Sequence, residues 1–235
     1  MDFLDDLLNF FYPERNICKI CGRILEKDVY LCENCQNKIK INRYPTCKIC
    51  GRVLGKGLKI DICSNCNNKK PSFDCAFSSF VYTDIIKEVI HGYKFSDRYD
   101  FYKVLASYMV DTFIEKDINV DYITWVPMHK VRKKERGYNQ AELLAREMAK
   151  HLNIKAVPLL KRIKNTKAQS LLKRDDRLKN LKGAIICTSK VDGKSILLID
   201  DVFTTGATAE ECSKVLENSG VKKIYVQTLA TAKMH

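Results

Sequence analysis

The chain has 235 residues, 46% of them hydrophobic, and a formal net charge of +13. That length suits one medium domain plus a small satellite with a sizeable core. No run approaches the roughly 18 apolar residues of a membrane-spanning helix, which excludes an integral helical membrane protein. The charge is unevenly spread: residues 1–75 carry +4, 76–124 carry −3, 125–182 carry +12, and 183–235 balance at zero. One stretch therefore holds nearly all the excess, as suits a polyanionic ligand such as a pyrophosphate or a nucleic acid.

The start, M-D-F-L-D-D-L-L-N-F-F-Y-P, is amphipathic and acidic. It lacks the basic n-region of a signal peptide, so a cytoplasmic chain is expected. Phe3, Leu4, Leu7, Leu8, Phe10 and Phe11 are expected to dock as a short helix on the protein itself.

Eight of the eleven cysteines then form four C-x-x-C pairs: Cys18/Cys21, Cys32/Cys35, Cys47/Cys50 and Cys63/Cys66. Two such knuckles bring four thiolates to one tetrahedral zinc. The repeat of C-K-I-C-G-R-I-L from Cys18 as C-K-I-C-G-R-V-L from Cys47 marks an internal duplication. Two tandem zinc ribbons follow, one on Cys18, Cys21, Cys32 and Cys35, the other on Cys47, Cys50, Cys63 and Cys66. The spacing alone leaves a crossed pairing of the knuckles open. Four disulfides would need an oxidising compartment, for which the chain shows no export signal. Each four-cysteine site adds four thiolates and one dication, which brings the +4 of this region to about zero. A structural or protein-docking role therefore suits the ribbons better than nucleic-acid binding. Gly22 and Gly51 support tight turns at the first knuckles. Cys187 and Cys212 are expected to be buried thiols.

Residues 69–73 read as a basic, proline-containing linker, 76–82 as a strand, and 84–95 as a helix with Ile85, Ile86, Val89 and Ile90 on one face. Tyr93, Lys94, Phe95, Arg98, Tyr99, Phe101 and Tyr102 mix aromatic and basic side chains, the makings of a stacking platform or of ordinary helix packing. A helix over about 99–116 follows. Residues 121–128 form the first core strand, ending in a loop and basic segment with His129, Lys130, Arg132, Lys133, Lys134 and Arg136. His129 reads either as part of a pyrophosphate site or as a helix cap. The nucleic-acid surface expected from this charge is Lys133, Lys134, Arg136 and Tyr138. A helix over 140–152 and a short strand over 157–160 come next. Residues 161–181 are polar and basic with few apolar anchors, as in a functional lid. Arg162, Lys164, Lys167, Gln169, Arg174 and Arg177 are its candidates to close over an anion.

The chemistry concentrates at residues 196–208, I-L-L-I-D-D-V-F-T-T-G-A-T. Four apolar residues read as a strand buried on both faces of a parallel sheet. Asp200 and Asp201 follow at its carboxyl end, where open α/β sheets bind ligands. Thr204, Thr205, Gly206, Ala207 and Thr208 then turn into a helix running to about 218. Backbone N–H groups and hydroxyls there make a phosphate cradle. A ligand with both hydroxyls and phosphate reconciles carboxylates with that cradle, and a ribose phosphate has both. The thirteen-residue pattern resembles the phosphoribosyl-pyrophosphate (PRPP) binding motif of type I phosphoribosyltransferases.

Taken whole, the chain resembles the ComF family of competence-associated phosphoribosyltransferase-like proteins. The segments that carry this are the double ribbon, H-G-Y-K-F, V-P-M-H-K-V-R-K-K-E-R-G-Y-N-Q, R-I-K-N-T-K-A-Q-S-L-L-K-R-D-D-R-L-K-N-L and the 196–208 motif. The resemblance implies an α/β fold, a type I phosphoribosyltransferase-like parallel sheet flanked by helices, with a small N-terminal zinc-ribbon domain. It divides the chain into residues 1–70, the N-terminal helix and double ribbon, and 71–235, the phosphoribosyltransferase-like domain. It implies PRPP bound with Mg2+, a role with single-stranded DNA in natural transformation, and a ComFA-type helicase as partner. Asp200 and Asp201 would hold the ribose, residues 204–208 the 5′-phosphate, and Met128, His129 and Lys130 the pyrophosphate. A glutaminase would need an N-terminal cysteine nucleophile, whereas this sequence opens M-D-F-L. Three functions fit: a phosphoribosyltransferase with an unidentified acceptor, a PRPP sensor that binds single-stranded DNA, and an adaptor whose ribbons dock a helicase.

Overall fold

The structure is a computed structural model, and it describes residues 17–18, 20–26, 31–39, 41–55, 60–95, 101–166 and 180–232. The expected N-terminal helix, Arg98, Tyr99 and the lid residues Lys167, Gln169, Arg174 and Arg177 lie outside the described residues, as do the side chains of Tyr93, Lys94 and Phe95. The chain divides into two compact units, Met1–Lys40 and Ile41–His235.

In the smaller unit Ile17 bridges Ile24 across the first knuckle, and helix α1 (Glu33–Lys38) follows the second. The Cys18 N–H donates to the Arg23 carbonyl at 2.7 Å, and the Gly22 N–H to the Cys18 carbonyl at 2.9 Å. Gly22 has φ +73°, the left-handed region that favours glycine.

The larger unit begins with the same design. Thr46 bridges Val53, the Cys47 N–H donates to the Arg52 carbonyl, and helix α2 (Ser64–Asn68) starts after Cys63. The rest of this unit is a parallel sheet: β1 (Cys75–Val81), β2 (Tyr122–Trp125), β3 (Lys155–Ala156), β6 (Ser195–Phe203) and β7 (Lys223–Thr231), in the order β1-β7-β6-β2-β3. Helices α3 (Asp84–Phe95), α4 (Phe101–Ile114), α5 (Lys130–Arg136), α6 (Gln140–Leu152) and α7 (Ala207–Glu217) supply the connections. β4 (Leu160–Arg162) and β5 (Ile185–Cys187) form a separate antiparallel pair.

β6 is central, between β7 and β2, so both its faces are covered. Ile196, Leu197, Leu198 and Ile199 are accordingly all fully buried. α6 buries Leu144, Ala145 and Met148 at its inner i, i+4 and i+8 face, as the apolar spacing expects.

Several expectations need correction. β6 runs through Asp200 and Asp201 to Phe203 rather than stopping at residue 199, because its pairing with β7 continues to Phe203↔Thr231. Residues 157–160 do not form one strand. β3 and β4 flank them, and Pro158, with no N–H to donate, sits at the break. Residues 69–73 are more than a linker: Phe73 is buried and the Ser72 N–H donates to a Glu210 carboxylate oxygen at 2.9 Å. Phe101 packs in the core, which removes it from any exposed stacking platform. Cys212 is buried as expected, but Cys187 is half-exposed, its thiol donating to the Ser189 carbonyl at 3.0 Å.

The second ribbon shares the core of the sheet. Cys47, Cys50, Leu54, Cys63 and Cys66 pack in one apolar cluster with Phe73, Ala76, Leu198, Phe203 and Cys212. The Ala76 N–H of β1 donates to the Ile49 carbonyl at 2.6 Å. Here Gly51 has φ +66°, and a Cβ on it would lie 2.3 Å from the Ala76 carbonyl oxygen. Only glycine lets this knuckle meet the strand.

Candidate functional site

The two cysteine clusters come first because their geometry is closed. Cys18, Cys21, Cys32 and Cys35 form one group, and Cys47, Cys50, Cys63 and Cys66 the other. Within each, the four sulfurs lie within 4.8 Å of one another. The Cys21–Cys32 and Cys50–Cys63 sulfurs are 3.7 Å apart. A zinc–sulfur bond of about 2.3 Å gives a tetrahedral edge of about 3.8 Å. The pairing is therefore sequential, not crossed.

The electrostatics also fit a dication. Burial pushes the Cys47 thiol up, but the Cys50, Cys63 and Ile49 N–H groups outweigh it and hold the thiol down at about 7. In the same way, burial of Cys18 is outweighed by the N–H groups of Cys21, Cys32 and Ile20, which hold its thiol at about 6. Burial and then the neighbouring cysteines push Cys35 up to about 12, and Cys66 rises for the same reasons. Four sulfurs this close cannot all ionise without a cation among them, and zinc supplies one.

The second site is at the carboxyl end of β6. Asp200 and Asp201 are half-buried, and an Asp200 carboxylate oxygen accepts the Asp201 N–H at 2.9 Å. The chain then turns through Thr204 and Thr205 to Gly206, which caps α7 in the left-handed region at φ +82°. A Cβ on Gly206 would meet the Phe203 ring at 2.8 Å. The Thr205 hydroxyl accepts the Ala207 N–H at 3.3 Å. Thr208 is half-buried in the first turn of α7. The first-turn amides of this eleven-residue helix suit an anion.

The loop after β2 borders the same sheet edge. The Val126 N–H donates to the Ile199 carbonyl at 2.9 Å. Met128 and His129 are half-buried and Lys130 is exposed. His129 is the N-cap of α5, its Nδ1 accepting the Val131 N–H at 3.4 Å. Asn139 fixes this loop to α6: its side chain donates to the Val126 carbonyl at 3.0 Å and accepts the Ala141 N–H at 3.1 Å.

Arg132 and Arg162 converge on Thr166. Arg132 donates to its carbonyl at 2.8 Å, and Arg162 donates to its hydroxyl. Burial, then the neighbouring Arg132 charge, lowers the pKa of Arg162, partly offset by Cys212 and Asp200. The Arg162 Nε is buried without a hydrogen-bond partner. Two guanidiniums held together beside a carboxylate suit a multiply charged anion.

The expected nucleic-acid residues divide. Lys134 is exposed and Tyr138 half-buried. Lys133 pairs with Glu142 at 2.8 Å, and Arg136 donates to the Gln140 side-chain oxygen at 3.1 Å.

One feature escapes the sequence. A cavity of about 300 Å³ lies between the second ribbon and the 205–207 turn, with Phe73 and Phe203 among its walls. Its lining is brought together from three separated stretches, so no local spacing signals it.

Comparison with known proteins agrees with this arrangement. A double zinc ribbon domain matches residues 7–68, and a phosphoribosyl transferase domain matches residues 139–235. Competence protein F of Haemophilus influenzae is 33% identical over 96% of this chain and all of its own length. Competence protein ComFC of Bacillus subtilis is 28% identical, covering 84% of this chain and 82% of its own. DNA utilization protein YhgH of Escherichia coli is 26% identical over 91% and 89%. With its parallel sheet and paired four-cysteine sites, the chain belongs to the ComF family, phosphoribosyltransferase-like proteins with an N-terminal double zinc ribbon.

Proposed function

We propose that this protein binds PRPP with Mg2+ at the carboxyl end of β6 and acts on single-stranded DNA taken up during natural transformation. There it transfers ribose 5-phosphate or senses its availability. One observation carries the reading: paired carboxylates on the central strand run directly into a glycine-capped helix start. The 2′- and 3′-hydroxyls would donate to Asp200 and Asp201. The 5′-phosphate would accept from the amides and hydroxyls of residues 204–208. The pyrophosphate would face the 128–130 loop, with Arg132 and Arg162 as further charge. Mg2+ bound with PRPP supplies charge neutralisation at the pyrophosphate, and Asp200 and Asp201 are the carboxylates that would serve it. No nucleophile is required, since positioning and preorganised charge lower the barrier for glycosyl transfer. The names competence protein and DNA utilization protein among the relatives support the biological setting, which lies in the cytoplasm on this reading.

Calorimetric titration with Mg2+ and PRPP tests the site. Asp200→Asn with Asp201→Asn is expected to weaken binding at least tenfold, about 1.4 kcal/mol. Unchanged affinity would refute the assignment. Pyrophosphate release measured with candidate acceptors then separates transfer from sensing.

A second reading rests on α5, which presents Lys133, Lys134 and Arg136 in its last turn. It makes the protein a non-catalytic single-stranded DNA-binding module or adaptor that docks a ComFA-type helicase. PRPP binding without acceptor-stimulated pyrophosphate release favours that reading.

A further inference from the structure

We infer that the cavity between the second ribbon and the phosphate turn is a nucleobase site. Its volume, about 300 Å³, lies at the lower end of the roughly 300–1,000 Å³ typical of small-ligand pockets. Phe73 and Phe203 meet edge to face, their ring centroids 6.2 Å apart and their planes at 90°. They form a corner in which a flat ring stacks on one and meets the edge of the other.

The polar groups are those a heteroaromatic edge requires. Asn65 and Asn68 both line the cavity, three residues apart on α2 and so on one side of it. Each amide offers donors and an acceptor, the combination that reads the mixed edge of a base. Lys69 also lines the cavity, and its cation suits an attached phosphate. An aliphatic ligand would leave the amides unused, and a simple anion would leave the rings unused. A base carrying a phosphate uses both.

The site is distinct from the ribose-phosphate cradle, although Thr205, Gly206 and Ala207 border both. A base in the cavity would therefore press on the turn from its ribbon side. That coupling rests on the proposed PRPP site; the nucleobase site itself does not. The base arrives either on a free nucleotide or within single-stranded DNA, and the chemistry recognised is the same.

The test uses the full zinc-loaded chain. Binding of dAMP, ribose 5-phosphate, a short oligo-dA and an abasic oligonucleotide of equal length is measured by calorimetry, with and without PRPP. Base-containing ligands are expected to bind at least about tenfold more tightly than their base-free counterparts, and Asn65→Ala with Asn68→Ala to remove that difference. Neither side chain is a zinc ligand, so zinc content near two per chain verifies that the variant is folded. Preference for oligo-dA over dAMP identifies DNA as the source, and the reverse identifies free nucleotide. No base-dependent binding under either condition, or base-dependent binding that survives the double substitution, overturns the proposal. Base-dependent binding that persists when PRPP fails to bind overturns only the PRPP assignment.

Discussion

The duplicated knuckles provide an internal control for how the second ribbon joins the sheet. Gly22 and Gly51 occupy equivalent positions, with φ +73° and +66°, and each donates its N–H to the first cysteine's carbonyl at 2.9 Å. Alanine at either position carries the left-handed penalty of about 1–2 kcal/mol. Beyond that the sites differ. A Cβ at Gly22 meets nothing within 4 Å among the described residues, whereas one at Gly51 lies 2.3 Å from the Ala76 carbonyl oxygen and 2.9 Å from the Phe77 Cα. Those are backbone atoms of β1, which is hydrogen-bonded along β7 and cannot rotate aside. Overpacking of this kind adds roughly 1–3 kcal/mol. Gly51→Ala is therefore expected to cost about 2–5 kcal/mol and Gly22→Ala about 1–2. For a unit of this size 1 kcal/mol moves Tm by about 2–4 °C, so Gly51→Ala should lower the main transition by roughly 4–20 °C. Calorimetry of zinc-loaded protein measures this, with metal content confirming that both variants keep their ligand sets. Equal losses in the two variants would refute the argument that the second knuckle is packed against β1.

Charge reversal at Lys133, Lys134 and Arg136 together is expected to weaken single-stranded DNA binding and flatten its salt dependence; fluorescence anisotropy across a salt series measures both. Glu142 is pushed up by burial but held below the usual carboxylate range by Lys133 and Arg146, which outweigh it. Its depressed pKa stabilises the fold above the ordinary Glu value, and that contribution disappears as pH falls through the folded value. Glu142→Gln should thus destabilise by a few tenths to 1 kcal/mol at neutral pH and by nothing in acid, as read by urea denaturation at the two pH values. Arg162→Met keeps the stem but removes the charge, relieving repulsion with Arg132. It is expected to leave Tm unchanged or raised while weakening PRPP binding about tenfold or more, measured by calorimetry on the same sample.

Local signals made much of this legible. The apolar run 196–199, the C-x-x-C pairs and the bounds of α3 and α6 follow from composition and period, because each is decided within a few residues. The strand end at residue 199 was not legible. Asp200 and Asp201 look like a terminus by polarity, and only pairing with β7 carries the strand to Phe203. His129 was ambiguous because a ring nitrogen that caps a helix and one that meets an anion occupy the same loop position in sequence. The convergence of Arg132 and Arg162 on Thr166 depends on β4 returning beside α5, a contact across more than thirty residues that no spacing encodes.

The same reasoning separates the two ribbons, which sequence makes look alike. Their knuckles share hydrogen bonds, turn geometry and sulfur spacing. The second, however, contributes Cys47, Cys50, Cys63 and Cys66 to the cluster that also holds Phe73 and Phe203. Phe203 lies beneath Gly206, close enough that no Cβ fits between them. Metal lost from the second site would leave four buried thiols to protonate or separate, and the cluster would loosen at the ring supporting the phosphate turn. Serine at Cys63 should therefore lower affinity for a phosphate-bearing ligand as well as zinc content, although no cysteine touches the turn's amides. Calorimetry with PRPP alongside metal analysis reads both. Full affinity in a variant holding one zinc would show that the turn stands without its ribbon.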